Sequence, residues 1–165
     1  MRLIVMSDSH GDEQRVRSVV SRHAGEEAVF LHLGDGLREF CRVMEEHPAL
    51  AYDCVVGNHE DDAFQRTQYE SRLLHLGGRS IWLVHGDRQN VKLDLLELEY
   101  MGRRAGADLV LYGHTHVSAD TERNGVRMLN PGALLWARDC TASYAVLDVE
   151  NGQVCARIVP MDGCQ

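Results

Sequence analysis

Residues 3–10, Leu-Ile-Val-Met-Ser-Asp-Ser-His, form the stretch on which the fold prediction rests. Leu3–Met6 is a short continuous apolar run, which is typical of a strand buried on both faces. Asp8 and His10 follow this run directly, so two side chains that can bind metals stand at the end of a predicted strand. The same arrangement recurs further along the chain.

Strand-like and helix-like segments alternate through the first third of the chain. Helical spacing over 12–23 is followed by a strand at Ala28–Leu33, a helix at Leu37–Glu46 and a strand at Ala51–Val56. This βαβαβ order predicts a parallel sheet with right-handed crossovers.

Hairpin signals dominate the rest of the chain. Gly77-Gly78, Asn124-Gly125 and Asn151-Gly152 each lie between strand-like runs. The predicted elements are strands at Arg72–Leu76 and Arg79–Val84, a helix marked by Leu93, Leu96 and Tyr100 that ends near Gly106, and strands at Asp108–Tyr112, Asp120–Arg123, Val126–Leu129, Tyr144–Val149 and Val154–Val159. We expect a mostly parallel sheet from the first half and a largely antiparallel sheet from the second. Stacked and covered by outer helices, they would form one α/β domain over residues 1–165.

Composition and charge limit the class of protein. The 165 residues are 44% hydrophobic and 25% charged, which is typical of a globular domain. The formal net charge of −8 argues against a non-specific nucleic-acid binder, which needs a basic face. The five cysteines form no CxxC pair, and no apolar run reaches the ~18 residues of a membrane span. We expect reduced thiols, a cytoplasmic location and no membrane association.

Five short segments place oxygen or imidazole donors after strand-like runs. They are Asp8-Ser9-His10, Gly34-Asp35, Gly57-Asn58-His59-Glu60, His85-Gly86-Asp87 and Gly113-His114-Thr115-His116. In open α/β sheets, ligand sites form outside the carboxyl ends of strands, so these segments are expected to converge. Mixed Asp, His and Asn donors suit Mn, Fe, Zn, Co or Ni better than Ca or Mg. Because the donors outnumber the needs of one ion, the sequence predicts a two-metal site that hydrolyses phosphate esters.

Asp35 is the natural bridge between two ions ~3.5–4 Å apart. Two carboxylates against two dications leave a positive charge of roughly +2, which favours a bound phosphate ester. One shell is completed by Asp8, His10 and His116, and the other by Asn58, His85 and His114. Taken alone, an Asp after a strand is more often a helix cap or turn residue, and that alternative stays open for Asp35.

His59 has no place in either predicted shell. Its imidazole would protonate the leaving alkoxide or bind a non-bridging phosphoryl oxygen. Glu60, or another acid, would hold the tautomer of this ring. His59 is therefore the candidate catalytic residue.

The ordered motifs DxH, GD, GNH(E/D), H and GHxH resemble those of the calcineurin-like metallophosphoesterases. The small, single-domain phosphodiesterase branch is most similar, and the resemblance extends to Asn130–Ala133 and the predicted hairpin at Ser143–Val159. It implies a four-layer α/β/β/α sandwich of two stacked mixed sheets flanked by helices. It also implies two divalent ions, commonly Mn²⁺, with Ni²⁺, Fe²⁺, Co²⁺ or Zn²⁺ as substitutes.

Residue by residue, the resemblance implies the same two shells and a catalytic His59. One shell holds Asp8, His10, Asp35 and His116, and the other holds Asp35, Asn58, His85 and His114. Many members of the branch have Cys-Asp in place of His59-Glu60, so we expect this chain to be the more competent catalyst. Where relatives often have His-Gly-His, this chain has His85-Gly86-Asp87. Asp87 either supports a metal ligand or is a turn residue, and we favour the turn.

Three functions follow from this interpretation. The leading one is a phosphodiesterase in which a metal-bound hydroxide attacks phosphorus in line and His59 helps to protonate the leaving alkoxide. The alternatives are a phosphomonoesterase acting on nucleotides or phosphoproteins, and a non-catalytic protein-binding scaffold like the retromer subunit of this fold. We expect a small phosphate-ester substrate and no stable nucleic-acid binding; a homo-oligomer is allowed.

Other polar residues have weaker assignments. His32 is predicted to be a hydrogen-bonded core residue because it lies inside a strand, whereas three histidines near element ends are predicted to be exposed. These three are His23, His47 and His75. Candidate substrate contacts near the metal segments are Arg38, Arg66, Tyr69 and Arg88.

Overall fold

A computed structural model describes residues 1–60, 69–138 and 141–161 of the chain. In chain order the elements are β1 (Arg2–Met6), α1 (Glu13–His23), β2 (Ala28–His32), α2 (Leu37–Glu45), β3 (Ala51–Cys54), β4 (Ser71–Leu76), β5 (Arg79–Val84), a 3-10 turn (Asp87–Gln89), α3 (Leu96–Arg104), β6 (Leu109–Leu111), β7 (Ala119–Arg123), β8 (Val126–Asn130), β9 (Ser143–Glu150) and β10 (Gln153–Pro160). The predicted strands and helices within these ranges are confirmed, except that the third helix begins after Leu93. Residues 61–68 lie outside the described residues. They include the candidate substrate contact Arg66 and most of segment 61–71.

The first sheet has the strand order β10-β9-β1-β2-β3. β1, β2 and β3 run parallel, with Met6 beside His32 and His32 beside Cys54. Their carboxyl ends therefore meet at one edge of the sheet, as the βαβαβ pattern predicts. The second sheet has the order β4-β5-β6-β8-β7, in which β5, β6 and β8 are parallel.

The expected division into a parallel first sheet and an antiparallel second sheet is wrong. Both sheets are mixed, because the hairpin of β9 and β10 joins the first sheet and pairs antiparallel with β1. β9 is buried over almost its whole length, so it needs cover on both faces and a central position. An Asn-Gly turn determines which strands form a hairpin, but it does not determine the sheet that the hairpin joins.

The hydrophobic core lies in three layers. Between the sheets pack residues of both, among them Leu3, Leu31 and Leu83. α1 and α2 cover the outer face of the first sheet, and α3 covers the outer face of the second through Leu98. Two mixed sheets with helices on both outer faces confirm the α/β/β/α sandwich.

Two local predictions are wrong. Leu93 precedes α3 and is 85% exposed, so it does not belong to the apolar face of that helix. His23 is buried, because its Nδ1 lies 2.9 Å from Glu26 Oε1 and its Nε2 lies 2.9 Å from the Tyr144 hydroxyl. A helix end that packs against β9 leaves no solvent for the ring.

The remaining histidine predictions have a simpler outcome. His32 is fully buried and its Nε2 lies 3.1 Å from Ser9 Oγ, which confirms the core assignment. His75 is exposed as predicted, whereas His47 is half-buried, so the prediction of an exposed ring is wrong for His47. None of the helices in the described ranges is long and apolar enough to cross a membrane.

The layer between the sheets generates the first prediction. Leu83→Ala removes a fully buried side chain, and we expect a loss of about 2–5 kcal/mol in the free energy of unfolding. The measurement is urea denaturation followed by circular dichroism. Leu93→Ala, at an exposed position, is the matched control and should change the free energy by less than about 0.5 kcal/mol. Equal losses in the two variants would contradict the assignment of Leu83 to this layer.

Candidate metal centre

The seven predicted ligands come from five strand ends that lie at the same edge of the two sheets. Backbone hydrogen bonds connect the segments, because the Asp8 N–H donates to Gly34 O (3.0 Å) and the His10 N–H donates to Asp35 O (2.9 Å). The Gly113 N–H donates to His85 O (2.8 Å) in the same way. Parallel strands and these cross-links bring residues that are up to 108 positions apart into one crevice.

The first donor group consists of Asp8, His10 and His116. His10 Nε2 lies 3.1 Å from His116 Nε2, and His116 Nε2 lies 3.2 Å from Asp8 Oδ1. Two nitrogens that bind one ion at about 2.1 Å each stand about 3.0–3.4 Å apart. The spacing of the two rings therefore fits ligands of one ion.

The second donor group consists of Asp35, His85 and His114, with Asn58 beside them. His85 Nε2 lies 3.3 Å from Asp35 Oδ2, 3.1 Å from Asn58 Oδ1 and 3.1 Å from His114 Nδ1. The structure thus brings all seven predicted ligands into two adjacent groups of donors.

Asp35 stands between the two groups. Its Oδ1 accepts the backbone N–H of His59 at 2.8 Å, which orients the carboxylate. Its Oδ2 lies 3.3 Å from His85 Nε2 in the second group and 4.0 Å from His10 Nε2 in the first. This is the position that a bridging ligand requires.

The chemistry of the donors fits divalent cations. Asp8 Oδ1 is buried and accepts no hydrogen bond from any described residue, a state that costs free energy unless a cation binds there. Two imidazoles are oriented by carbonyls: His85 Nδ1 donates to Leu33 O (2.7 Å) and His116 Nδ1 donates to Trp136 O (3.0 Å). Each of these rings thus presents Nε2 to the crevice, as metal-ligating histidines do.

The ligand loops hold strained backbone. Five of the seven predicted ligands have positive φ angles, between 45° and 67°. They are Asp8, His10, Asp35, His114 and His116. Each such residue costs about 1–3 kcal/mol and persists only where the surroundings enforce it, which is common at functional sites.

Two glycines of the motifs are required by close approach of neighbouring segments. A Cβ at Gly57 would collide with Asp35 Oδ1, and a Cβ at Gly113 would collide with Ser7 Oγ. Ser7 itself donates to Asp8 Oδ2 at 2.5 Å. The glycines therefore let the carboxylates of Asp35 and Asp8 sit against the backbone of the next strand end.

The electrostatics of the crevice keep both acids ionised. Burial by itself raises the pKa of Asp8, but the adjacent His116 ring and the charge of His85 outweigh it, so this pKa lies below its usual range. Burial likewise opposes the low pKa of Asp35, which His85 holds well below its usual range. Metal ligands of this type must be deprotonated, so the environment prepares both acids for a cation.

The histidines show opposite shifts. Burial lowers the pKa of His85, but Asp35 and Asp8 outweigh it and raise this pKa to about 9. Burial and the neighbouring His85 lower the pKa of His114 to about 4. The crevice therefore favours a positive charge next to Asp35, whether a proton or a cation supplies it.

His59 lines a cavity of about 370 Å³ next to the first donor group, together with Arg38 and Trp136. Its ring centroid lies 5.9 Å from that of His10. Glu60 does not hold the His59 ring as we predicted, because its carboxylate accepts the backbone N–H groups of Gly36 (2.8 Å) and Leu37 (3.1 Å). α2 has no side-chain cap of its own, so Glu60 serves as that cap.

The other predicted contacts are distributed around the site. Asp87 begins the 3-10 turn and lines a second cavity of about 540 Å³ with Asn58, His85 and Arg88. Arg88 pairs with Glu70 at 2.5 Å. Tyr69 packs instead against the guanidinium of Arg72, 4.3 Å from the ring centroid.

Sequence reasoning missed Trp136 and the two serines on either side of Asp8, Ser7 and Ser9. Trp136 is 65% exposed, has φ 57°, and its ring centroid lies 4.7 Å from that of His10. Ser7 Oγ donates to Asp8, and Ser9 Oγ donates to Glu39 Oε1 at 2.8 Å. The serines stand within the SDSH stretch and were open to prediction as supporting donors, whereas no local pattern marks Trp136.

Comparison with known proteins assigns the family. The profile of the calcineurin-like phosphoesterase superfamily domain matches residues 1–152. The probable metallophosphoesterase YsnB of Bacillus subtilis is 33% identical over 165 residues, covering 99% of this chain and 93% of that protein. A phosphodiesterase of Methanocaldococcus jannaschii is 23% identical over 165 residues, covering 92% of this chain and 95% of that protein.

A solved structure agrees with these relatives. The crystal structure of a predicted phosphoesterase from Streptococcus pneumoniae superposes with a TM-score of 0.76 at 26% identity, over 96% of this chain and 97% of that one. The fold and the sequence thus both place this chain among the phosphoesterases. The chain belongs to the calcineurin-like phosphoesterase superfamily, and the B. subtilis relative, which it matches over nearly its whole length, is named a probable metallophosphoesterase.

The position of Asp35 generates the second prediction. We expect the protein, dialysed against Mn²⁺, to bind about two ions per chain, and Asp35→Asn to bind at most about one, because the bridge between the groups is weakened. Elemental analysis measures the bound metal. Calorimetry should show that chelation lowers the melting temperature of the wild type, since an ion that binds only the folded state stabilises it.

Asp94→Asn is the matched control for this experiment. Asp94 is exposed and accepts the Leu96 N–H at 2.9 Å, a role that asparagine also fills. This variant should bind metal like the wild type. Full metal content in Asp35→Asn would refute the bridging position.

Proposed function

We propose that this protein is a metal-dependent phosphodiesterase with two divalent ions. The preferred ion is Mn²⁺, and Ni²⁺, Fe²⁺, Co²⁺ or Zn²⁺ would substitute for it. Asp8, His10, Asp35 and His116 would hold one ion, and Asp35, Asn58, His85 and His114 the other. The observation that carries the proposal is the Asp35 Oδ2 atom, which lies 4.0 Å from His10 Nε2 and 3.3 Å from His85 Nε2. One carboxylate oxygen thus faces both donor groups.

The charge of the site suits a phosphate ester. When bound, the two cations would polarise the phosphoryl oxygens and lower the pKa of the attacking water. Asp8 and Asp35 are the only carboxylates among the seven proposed ligands, and Asn58 is neutral, so two dications would retain net positive charge. That charge attracts the phosphate anion and stabilises the charge that develops on it.

His59 is the proposed proton donor. It lines the cavity next to the first donor group, and its backbone N–H is tied to Asp35 Oδ1, so the ring stays next to the site. An imidazole near this position would transfer a proton to the alkoxide as the bond to phosphorus breaks.

Two cavities favour a diester over a monoester. One of about 370 Å³ adjoins His10 and His59, and the other of about 540 Å³ adjoins Asn58 and His85. A diester carries a substituent on each side of phosphorus, and each cavity would take one. The diesterase name of the M. jannaschii relative supports the same choice.

A phosphomonoesterase is the second candidate, and the presence of His59 allows it. A proton donor helps most when the leaving alkoxide is strongly basic, as in alkyl monoesters. The ratio of diester to monoester turnover separates the two activities. A protein-binding scaffold has less support, because binding a partner would not require a buried carboxylate oxygen without a hydrogen bond.

The third prediction tests the activity. With Mn²⁺ the protein should hydrolyse bis(p-nitrophenyl) phosphate faster than p-nitrophenyl phosphate, and chelation should abolish both rates, because the cations activate the water. Release of p-nitrophenolate is measured by absorbance. Absence of metal-dependent turnover of either ester would refute the proposed function.

The fourth prediction tests His59. His59→Ala should lower kcat by ~10²–10⁴ for a diester with an alkyl leaving group, and by less for p-nitrophenolate, which leaves without a proton. His75→Ala, an exposed histidine on β4, is the matched control and should leave kcat unchanged. An unchanged kcat in His59→Ala with the alkyl diester would remove the proposed role.

A further inference from the structure

We propose that Trp136 stacks on a planar aromatic ring carried by the leaving alcohol of the substrate, so that the preferred diesters have a nucleoside-type leaving group. This inference rests on the proposed function and narrows its substrate class. It is carried by the position of the Trp136 indole, which shares one cavity with His59 and contacts the His10 ring.

Trp136 is held in an unfavourable state. Its indole is 65% exposed, and its φ of 57° is uncommon for a bulky residue. Contacts to two proposed metal ligands hold it there, because its carbonyl accepts the Nδ1–H of His116 at 3.0 Å and its ring lies 4.7 Å from the His10 ring, at an angle of 34°. A strained backbone and an exposed indole at the rim of a reactive site indicate a function.

The polar side chains of the cavity limit what it binds. Glu39 Oε1 accepts the Gly11 N–H (2.6 Å) and the Ser9 hydroxyl (2.8 Å). Glu60 is occupied as the cap of α2. The third acid of the cavity, Asp35, is a proposed metal ligand. All three acids are thus engaged in the protein or at the site, so the apolar binding surface of the cavity is supplied mainly by the Trp136 indole.

An indole surface selects for planar rings. Stacking of a base on an aromatic side chain gains far more than contact with a short alkyl group, and it tolerates different bases because every base has a π face. His59, the proposed proton donor, lines the same cavity. The alcohol that receives the proton therefore leaves through this cavity, and a ring on that alcohol would meet Trp136.

The first experiment compares two diesters that differ only in one base. One is a dinucleoside monophosphate, and the other is the same compound without the base on the leaving nucleoside. We expect Trp136→Ala to raise KM for the base-bearing diester about 5- to 100-fold, with little change in kcat. The KM for the abasic diester should stay within about 2-fold of the wild-type value. Trp136→Phe, which keeps a planar ring, should retain most of the preference.

Two further arms complete this comparison. Tyr100→Ala is the matched control, since Tyr100 is an aromatic residue on α3 that is 59% exposed and should affect neither substrate. A diester with a phenyl-bearing leaving group shows whether any aromatic ring suffices. A Trp136 effect on the dinucleoside alone assigns a base, and an equal effect on the phenyl diester assigns planar rings in general while keeping the stacking role.

A second readout does not depend on turnover. The chain has two tryptophans, Trp82, which is buried, and Trp136, which is exposed, so a surface ligand should change the emission of Trp136. We expect adenosine, but not ribose, to quench the fluorescence in both the metal-free and the Mn²⁺-loaded protein. Trp136→Phe should abolish the response.

The outcomes separate the inference from the proposed function. If Trp136→Ala weakens both the base-bearing and the abasic diester equally and lowers bound Mn²⁺, Trp136 only positions His10 and His116, and the stacking role is refuted. If wild-type turnover is intact and neither KM nor fluorescence depends on the base, it is refuted as well. If no diester or monoester is hydrolysed but adenosine still quenches Trp136, the stacking site stands and the proposed function fails.

Discussion

The carboxylate of Asp35 is the contact on which the architecture of the site depends. Its Oδ1 is held by the backbone N–H of His59, which leaves Oδ2 to face His85 on one side and His10 on the other. Its carbonyl accepts the N–H of His10, so the loop after β2 is also tied to the loop after β1. A single residue thus joins strand ends from both sheets and sets the separation of the two donor groups.

Such an arrangement is costly to a folded protein, and the layered core offsets the cost. Five predicted ligands have left-handed backbone, and Asp8 keeps one carboxylate oxygen buried without a hydrogen bond from a described residue. Parallel strands packed between helices and a second sheet provide the rigid frame that enforces these conformations. Binding of cations would return part of this free energy, because each buried carboxylate would then have a partner of opposite charge.

The inner and outer parts of the site have different origins. The donors stand directly at strand ends, where the sheets determine their positions. Around them, His59 and Trp136 lie on loops that contact the donors, the first through Asp35 and the second through His10 and His116. Loops vary more than the strands that they connect, so differences in substrate among proteins with this donor set are expected at these loop positions.

Much was determined by the sequence alone, because apolar runs, helical spacing, Asn-Gly turns and donor residues are written in consecutive positions. These local patterns were sufficient for the bounds of the elements to within a few residues, the sandwich with outer helices, and the seven donors that the structure brings into one crevice. Only the tertiary structure decided that β9 and β10 join the first sheet and that Glu60 caps α2. The same is true of the burial of His23 against Tyr144. It is also true of the contacts of Trp136 with His10 and His116. Each of these outcomes depends on a contact between residues far apart in the chain, and no spacing within a local segment encodes it.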